Sequence, residues 1–507
     1  MRLSRRSLIA AGAALPFLRI PARAATTPGK LVFGLSSYPP NLFPWANAGT
    51  AAETAKLAMF RGLLGYDAEG KLRGELAESW ERDPKDGAWV FHLRQAQFHN
   101  GDPVTSADVA YTIEQVAAAQ STAYLRTEMQ GIAKIETPDP RTVRFVTKQP
   151  VATFPLLAAS SFLPICAKGS ADGNAPGIGA GPFVPTAQER GVAIEFKAFD
   201  KYYRPGLPKL KALRMVAYQD ENLRVAALQT GDVDLIEYVP WQSMSTIEQD
   251  AKLALQTTNG PFMYLVFNGK APPFGDARVR SAIAYAIRRE EIVKAAFFGR
   301  GAPMEGIPIP DSSPFYDAER AHHWTYDPAK AKALLKEAGL AKGFSAKLLA
   351  TAQYGMHKDT ATVVQQHLAE IGIAVELVLP DWATRVNLGN RGQYEFAVGG
   401  TSADSNDPDG LAPVLAGNLT PSYVRSYGIE ISRLDQLLAS GRAEFDEAKR
   451  RAIYEEMQDV ALAEAPFVGL AWRSQGYAMS RRVQGFHNMP GALSFYSGTT
   501  FEDTDTV

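Results

Sequence analysis

Residues 76–109 read LAESWERDPKDGAWVFHLRQAQFHNGDPVTSADV, and this stretch decides the fold. The segment WVFHL at 89–93 places large apolar side chains at alternate positions, which predicts a strand with one apolar face. Thr105-Ser106 then begins a helix whose first turn holds Asp108, the charge that a helix N-terminus favours. A strand followed by a capped helix predicts an α+β unit in the N-terminal third of the chain.

The rest of the sequence predicts helices that alternate with short strands. Asp327-Pro328 begins one helix, because Asp caps a helix N-terminus and Pro fits its first turn. This alternation indicates an α/β lobe. The other predicted elements include helices at 51–64 and 277–298 and strands at 263–267, 375–379 and 395–398.

The residue order of 76–109 resembles the family 5 extracellular solute-binding proteins of ABC importers, the dipeptide-, oligopeptide- and nickel-binding family. Further blocks resemble that family in the same order, and together they run from about 35 to 490. On these residues the chain is identified as a member of the family. The blocks are GAGPF at 179–183, DKYY at 200–203, ALQTGDVD at 227–234, DARVRSAIAYAI at 276–287 and YDPAKA at 326–331.

The resemblance implies an α/β fold, the large type II periplasmic binding protein fold of two lobes, with an extra α+β subdomain on the first lobe. The stretch 76–109 could dock on the permease or scaffold the subdomain, and its core-type aromatic residues favour the scaffold. The expected limits are 25–60, 180–260 and 475–507 for the first lobe, 61–179 for the subdomain and 261–474 for the second lobe.

The resemblance also implies that a small solute is enclosed between the lobes and passed to a partner permease with ATPase subunits. A cleft between lobes lets loops from both sides supply polar groups, and hinge closure then buries the solute. We therefore expect a monomeric periplasmic substrate-binding protein with no cofactor and no enzymatic activity. An exported enzyme or a ligand sensor on the same fold is the alternative.

The composition is that of an ordinary globular protein. Of the 507 residues 46% are hydrophobic and 21% charged, and 53 basic residues nearly balance 54 acidic ones. This balance excludes a strongly basic nucleic-acid-binding surface. Cys166 is the only cysteine, which excludes intramolecular disulfides and cysteine-based metal centres, and its apolar surroundings predict a buried thiol.

The segment 1–24 has the pattern of an export signal. A basic start precedes an apolar run at 8–18, which is too short to span a membrane, and the cleavage pattern Ala22-Arg23-Ala24 follows. Arg5-Arg6 resembles the twin-arginine motif, and a Sec-type signal that holds two arginines is the alternative. We expect export to the periplasm and a mature chain that begins at Ala25. With no cysteine near the cleavage site, we expect no lipid anchor.

Patterns typical of enzymes and metal sites are missing from the sequence. The seven histidines form no H-E-x-x-H motif, and neither a G-x-S-x-G elbow nor a G-x-x-x-x-G-K-[ST] loop occurs. The segment 405–410 faintly resembles a calcium loop, but Ala416 stands where the bidentate Glu is required. We therefore assign no catalytic residue, metal or cofactor. A triad assembled from residues distant in the sequence would form no such motif.

Three loops after predicted strands are candidates for the solute pocket, at 36–41, 381–382 and 399–404. In the peptide-binding members the third loop carries an Asp that accepts the α-ammonium of the ligand, and the resemblance places Asp404 there. Thr401 replaces the Trp of that loop. The expected ligand-binding residues are Asp404, Trp382, Tyr38, Gly400 and Thr401.

Two further aspartates and one tryptophan have alternative interpretations. Asp407 and Asp409 complete the pattern of the third loop, and for both a capping or turn role is favoured over solute contact. Trp382 could belong to the core, but its place between a strand end and a helix suits a pocket wall equally well.

Other positions depart from the family and restrict the solute. Thr351 stands where the dipeptide binder has a carboxylate-clamping arginine, Val398 where the oligopeptide binder has a charge, and Asp409 where the nickel binder has a histidine. Arg385 or Arg391 could substitute, although we expect both side chains to be solvated. An amine anchor without a known carboxylate anchor predicts a cationic or amine-bearing solute. A peptide comes first, and an opine or another amine-containing metabolite comes next.

Overall fold

The computed structural model describes residues 28–171 and 175–507, so the predicted signal at 1–24 lies outside the described residues. In the described residues no helix combines the length and the apolar character that a membrane span needs. The strands there are β1 (Lys30–Leu35), β2 (Leu64–Tyr66), β3 (Leu72–Gly74), β4 (Ala77–Arg82), β5 (Trp89–Leu93), β6 (Ile132–Asp139), β7 (Thr142–Thr147), β8 (Phe183–Glu189), β9 (Ala193–Ala198), β10 (Ala212–Ala217), β11 (Leu235–Ile236), β12 (Leu253–Phe267), β13 (Gly301–Pro303), β14 (Phe344–Leu349), β15 (Ile373–Val378), β16 (Phe396–Thr401), β17 (Phe467–Ser480), β18 (Val483–Gln484) and β19 (Asp505–Thr506). The α-helices are α1 (Thr50–Met59), α2 (Ser106–Ala117), α3 (Arg126–Gln130), α4 (Phe154–Ala158), α5 (Glu221–Thr230), α6 (Trp241–Gln249), α7 (Ala277–Tyr285), α8 (Arg289–Phe297), α9 (Ala318–Ala321), α10 (Pro328–Glu337), α11 (Gly355–Glu370), α12 (Trp382–Asn390), α13 (Ala412–Leu415), α14 (Ser432–Ala443) and α15 (Glu447–Glu464), and 3-10 helices form at Pro408–Leu411 and Gly491–Glu502.

A sheet of 11 strands runs through both halves of the molecule. Its order is β15-β14-β16-β12-β17-β11-β1-β10-β9-β8, with β13 paired to β17. In the middle, β12 and β17 are antiparallel partners of 15 and 14 residues. β12 also pairs with β16 on one side, and β17 pairs with β11 on the other. These two long strands therefore connect the two halves.

Each half has a hydrophobic core of its own. One core is built from buried residues between Phe262 and Ala471. The other combines residues from Leu31 onwards with a C-terminal group that ends at Phe501. The chain thus returns to the first half, where Phe33 and Phe501 meet edge to face with their ring centres 5.3 Å apart. This is the two-lobed α/β architecture that the sequence predicts, and the individual domain limits stay predictions.

The stretch that opens the sequence analysis forms part of a separate four-stranded antiparallel sheet, in the order β4-β5-β7-β6. Phe91 and Phe98 are fully buried, and the Trp89 indole donates a 2.9 Å hydrogen bond to a backbone carbonyl. Thr105 begins α2 as predicted, and its backbone N–H donates to the Asp108 carboxylate at 2.9 Å. The burial of these rings supports a scaffold role for the stretch.

Two helices differ from their predicted limits because of residues that are distant in sequence. The helix predicted at 51–64 ends at Met59, since the carbonyl of that residue accepts a hydrogen bond from the Gly181 backbone at 2.9 Å. The helix predicted at 277–298 divides into α7 and α8. The break comes just before Arg289, which turns inward and donates to backbone carbonyls of other elements.

Two strands are longer than predicted. β12 continues through Gly260-Pro261, where its pairing with β17 becomes irregular. β16 extends to Thr401, so Gly399 and Gly400 belong to a strand and not to the third candidate loop. A Cβ at Gly399 would lie 2.7 Å from the ring of Tyr264 on β12. The glycines that predict a loop here instead let two strands pack closely.

Candidate ligand-binding cleft

A cluster of aromatic rings lies at the N-terminal ends of α11 and α12. Trp382 is the first residue of α12, and the Asp381 carboxylate before it accepts from a backbone N–H of that helix at 3.0 Å. The ring centre of Trp382 lies 5.4 Å from that of Tyr354 and 5.7 Å from that of Tyr423, in edge-to-face arrangements. Trp382 is half-buried. It is thus part of an aromatic wall that comprises Tyr354, His357, Trp382 and Tyr423.

Arg385 lies against this wall and is fully buried, so the expectation of a solvated side chain is wrong. Its guanidinium carbon stands 5.7 Å from the ring centre of Trp382 and 5.3 Å from that of Tyr423. Its amino groups donate to the backbone oxygens of Val398 and Tyr423, which replace water. Arg385 therefore supports the wall and is not a free carboxylate anchor. Arg391, at the end of α12, is exposed as expected.

His357 completes the aromatic wall, and no sequence signal revealed it. Its ring centre lies 5.5 Å from that of Trp382. Burial, together with the positive charges of Arg385 and Arg473, lowers the pKa of His357 to about 3. The imidazole is therefore neutral at physiological pH. A Cβ at Gly400 would lie 3.3 Å from its Nε2, so the glycine makes room for the histidine.

A buried carboxylate attaches the first candidate loop to the first half. Glu237 accepts from the backbone N–H of Ser36 at 2.9 Å, from its hydroxyl at 2.6 Å, and from the hydroxyl of Thr54 at 3.0 Å. The next residue, Tyr238, has a φ of 49°, a left-handed conformation that is unusual for a bulky side chain. Such strain concentrates at functional sites. Tyr38, within the loop, packs half-buried against the core of the first half.

Asp404 bridges the two halves of the molecule. Its carboxylate accepts a 2.9 Å hydrogen bond from the hydroxyl of Tyr124, which lies 280 residues earlier between α2 and α3. The Tyr124 ring packs against Phe162 with 4.4 Å between ring centres. The Asp404 side chain remains accessible to water, yet the surrounding protein disfavours its charged form and raises its pKa to about 6. No local sequence signal could have revealed a partner so distant in the chain.

Residues 71–420 match the family model of bacterial extracellular solute-binding proteins, family 5 Middle. The chain belongs to this family. The glutathione-binding protein GsiB of Pectobacterium atrosepticum is 29% identical to it over 520 residues, which cover 100% of this chain and 99% of GsiB. The solved structure of the binding protein AgaA from A. tumefaciens, in complex with agropinic acid, is 41% identical. It superposes with a TM-score of 0.84 over 94% of this chain and 99% of AgaA.

A more distant structure agrees with the fold of this family 5 protein. The periplasmic binding protein DppA from Helicobacter pylori, in complex with peptide STSA, is 23% identical. It superposes with a TM-score of 0.80 over 94% of this chain and 98% of DppA. At this identity the likeness shows the fold alone. It supports the two-lobed architecture that the sheet and the two cores describe.

In this family 5 protein the predicted ligand-binding residues stand in separate places. Trp382 and Gly400 border the aromatic wall, whereas Asp404 joins the two halves through Tyr124. In the described part of the chain, no hydrogen bond or ring contact connects Trp382 with Asp404. Thr401 ends β16, half-buried, and its hydroxyl donates to the next carbonyl at 3.3 Å. Their joint contact with a solute stays a prediction.

Asp407 has the capping role that the sequence favours, whereas the Asp409 carboxylate bonds to the distant side chains of Thr153 and Arg442. Asp407 caps the 3-10 helix Pro408–Leu411 and forms a two-pronged ion pair with Arg450, with both distances 2.7 Å. Asp409 pairs with Arg442 at 2.9 Å. Both carboxylates therefore have partners within the protein.

The described residues offer no evident metal chemistry. No group of three or more His, Cys, Asp or Glu side chains that could hold a metal ion occurs among residues 28–171 and 175–507. The prediction of a buried thiol is confirmed, because Cys166 is fully buried. Burial raises the pKa of this thiol, which keeps it protonated and unreactive.

Proposed function

We propose that this family 5 protein is a periplasmic substrate-binding protein that captures a small amine-bearing acid of the opine type. It delivers the solute to the permease of an ABC importer, whose ATPase subunits drive uptake. The observation that carries the proposal is that two halves with separate cores meet, with an aromatic wall in the second half and with Tyr124 of the first half bonded to Asp404 of the second. A cleft between two such halves would suit a small solute that hinge closure buries.

Two relatives narrow the class of solute. AgaA, at 41% identity over nearly the whole chain, is described with agropinic acid. GsiB, at 29% identity, is named for glutathione binding. The higher identity to AgaA favours an opine-type acid for this chain. A short peptide such as glutathione is the second candidate.

A panel of solutes tests the proposal. Mature protein is screened by thermal shift and then by calorimetry against agropinic acid, related opines, glutathione, dipeptides and tripeptides. A true ligand at 100 times its Kd should raise the free energy of unfolding by about 2.7 kcal/mol. If every solute in the panel fails to bind or to stabilise the protein, the proposed solute class is wrong.

The aromatic wall offers a matched pair of variants. Trp382→Phe should weaken the binding of the ligand found by the panel and reduce the change in tryptophan fluorescence, because Trp382 stands in the half-buried wall. Trp80→Phe, a half-buried tryptophan on β4 of the separate sheet, should leave affinity and fluorescence change as in the wild type. Equal behaviour of the two variants would argue against solute contact at the wall.

The alternative of an exported enzyme or a sensor makes different predictions. A transport protein should release its solute chemically unchanged, which mass spectrometry after prolonged incubation can establish. Turnover in the absence of any transporter would favour an enzyme. Genes for a permease and an ATPase beside this gene would support import.

A further inference from the structure

Arg473 lies midway along β17, the strand that connects the two halves. In the pairing register it stands opposite Gly301 of β13. Its Nη1 contacts the sulfur of Met356, at the start of α11 in the second half, at 3.2 Å. Its charge also interacts with Tyr238 of the first half. The guanidinium group is thus placed between the halves, beside the aromatic wall.

Arg473 differs from the other buried arginines in the part of the chain that the structure describes. The others each donate to two or more protein oxygens, either backbone carbonyls or carboxylates. Arg473 donates to no oxygen there, and its one acceptor is the Met356 sulfur, a weak one. Its Nε is buried without a partner among the described residues, a feature that Arg61 and Arg385 share, so the lack of an oxygen acceptor is what sets Arg473 apart. The arginines with less than a tenth of their surface exposed are Arg61, Arg224, Arg280, Arg289, Arg385 and Arg473.

A second donor without a partner lies beside Arg473. Gln475 follows two residues later on β17, so its side chain projects from the same face of the strand. It is 4% exposed, and its Nε2 has no hydrogen-bond partner among the described residues. Buried polar groups are nearly always hydrogen-bonded. Two such donors on one strand face therefore mark a place where an acceptor from outside the chain belongs.

The chemistry of these donors selects the acceptor. A buried charge without a partner destabilises a protein, so Arg473 has no structural benefit to explain its place. A planar guanidinium group matches the two oxygens of a carboxylate better than it matches any neutral group. In the described chain no Asp or Glu forms an ion pair with Arg473, so the acid must come from the ligand.

We infer that Arg473 binds a carboxylate of the solute, with Gln475 as a second donor. This assignment rests on the proposed function and supplies the carboxylate anchor that is missing at Thr351 and Val398. Met356 of the second half contacts the guanidinium group, and the charge of Arg473 interacts with Tyr238 of the first half. A carboxylate held at this point would contact both halves and couple solute binding to their closure.

Arg473→Met tests the assignment, because methionine keeps an unbranched side chain and removes the charge. Agropinic acid is the first probe and glutathione the second, each compared with a derivative whose carboxylate is converted into a carboxamide. The wild type should prefer the acid by at least about 30-fold. Arg473→Met should bind the acid at least about 30-fold more weakly than the wild type does. It should also no longer discriminate between the acid and its carboxamide. Arg391→Met, at the exposed end of α12, is the control and should behave as the wild type.

The melting temperature of the solute-free protein separates a binding role from a structural one. Loss of a buried charge that has no partner should leave this temperature unchanged or raise it. A lowered melting temperature, or unchanged affinity for the acid in Arg473→Met, would overturn the assignment. If the wild type binds acids and Arg473→Met binds them with unchanged affinity, only the role proposed for Arg473 is wrong. If the wild type binds no acidic solute at all, the proposed function fails as well.

Discussion

Tyr124→Phe removes a single hydroxyl from the contact between the two halves. The bond that it deletes is 2.9 Å long and ends on the Asp404 carboxylate. Hydrogen bonds to charged groups contribute about 1.5–3 kcal/mol, and the water-accessible position of Asp404 places this one at the low end, about 1.5 kcal/mol. That energy corresponds to roughly a tenfold change in the ratio of closed to open molecules. The packing of the ring against Phe162 should survive the change.

The same variant, together with Asp404→Ala, decides between two roles for Asp404. If Tyr124 remains its partner in the bound state, each variant should weaken solute affinity by about tenfold, and the double variant no further. If Asp404 instead accepts the ammonium group of the solute, Asp404→Ala should weaken the binding free energy by roughly 2–5 kcal/mol, which is on the order of 30- to 4000-fold in affinity. Tyr124→Phe would then leave affinity unchanged or improve it, because it frees the carboxylate.

Calorimetry gives the affinities, and solution X-ray scattering gives the radius of gyration with and without solute. The wild type should become more compact at saturating solute, and solute-free Tyr124→Phe should be more open than the solute-free wild type. Tyr111→Phe is the control, since among the described residues its hydroxyl donates only to a backbone carbonyl, that of Ala171 at 3.3 Å. Affinities within twofold of the wild type for both Tyr124→Phe and Asp404→Ala, with an unchanged radius, would refute any role of this contact in closure or binding.

Because the pKa of Asp404 is raised to about 6, an amine-bearing solute should bind progressively more weakly below pH 6, and titrations with Asp404→Asn should lose that dependence. Burial alone would raise the pKa of Glu502, but three arginines around it lower the pKa to about 2. The stability that the Glu502 carboxylate gives the folded protein should therefore be lost only as pH falls from about 4.5 towards 2. In urea titrations Glu502→Gln should lower the free energy of unfolding by about 3–5 kcal/mol, against at most about 1 kcal/mol for the exposed pair in Glu78→Gln. Replacing Arg5 and Arg6 by lysine should hold the precursor in the cytoplasm, and normal accumulation of mature protein outside the inner membrane would exclude the twin-arginine route.

Local sequence signals predict the elements of the fold because their causes act within one turn or one strand. Thr105 and Asp327 begin helices where the sequence predicts, since a cap needs only the next few residues. The predicted end of an element is wrong where a residue distant in the sequence bonds to it. The carbonyl of Met59 accepts from Gly181, which ends α1 five residues before its predicted limit.

The site was less predictable because its charges depend on neighbours from several segments. Arg385 and Arg473 look alike in the sequence, yet Arg385 donates to the carbonyls of Val398 and Tyr423, whereas the one acceptor of Arg473 in the described chain is a sulfur. Trp382 could be singled out since it follows a strand end directly. The partner of Asp404 lies 280 residues away, beyond the range of any local pattern.

The charges around the cleft are arranged with opposite signs in two places. Burial first, and then the positive charges of Arg385 and Arg473, lower the pKa of His357, so the region beside β17 is positive and its histidine neutral. Around Asp404 the charges are negative, since the surrounding protein and the carboxylates of Glu128 and Asp409 disfavour its charged form and raise its pKa. If Arg473 binds the acid of the solute, as proposed, and Asp404 binds its amine, as predicted, a solute that carries both groups would be held in one orientation, acid towards β17 and amine towards Asp404. A solute without an acid would leave the charge of Arg473 without a partner, whereas Asp404 would keep the Tyr124 hydroxyl, so the physical basis for selection is stronger for the acid than for the amine.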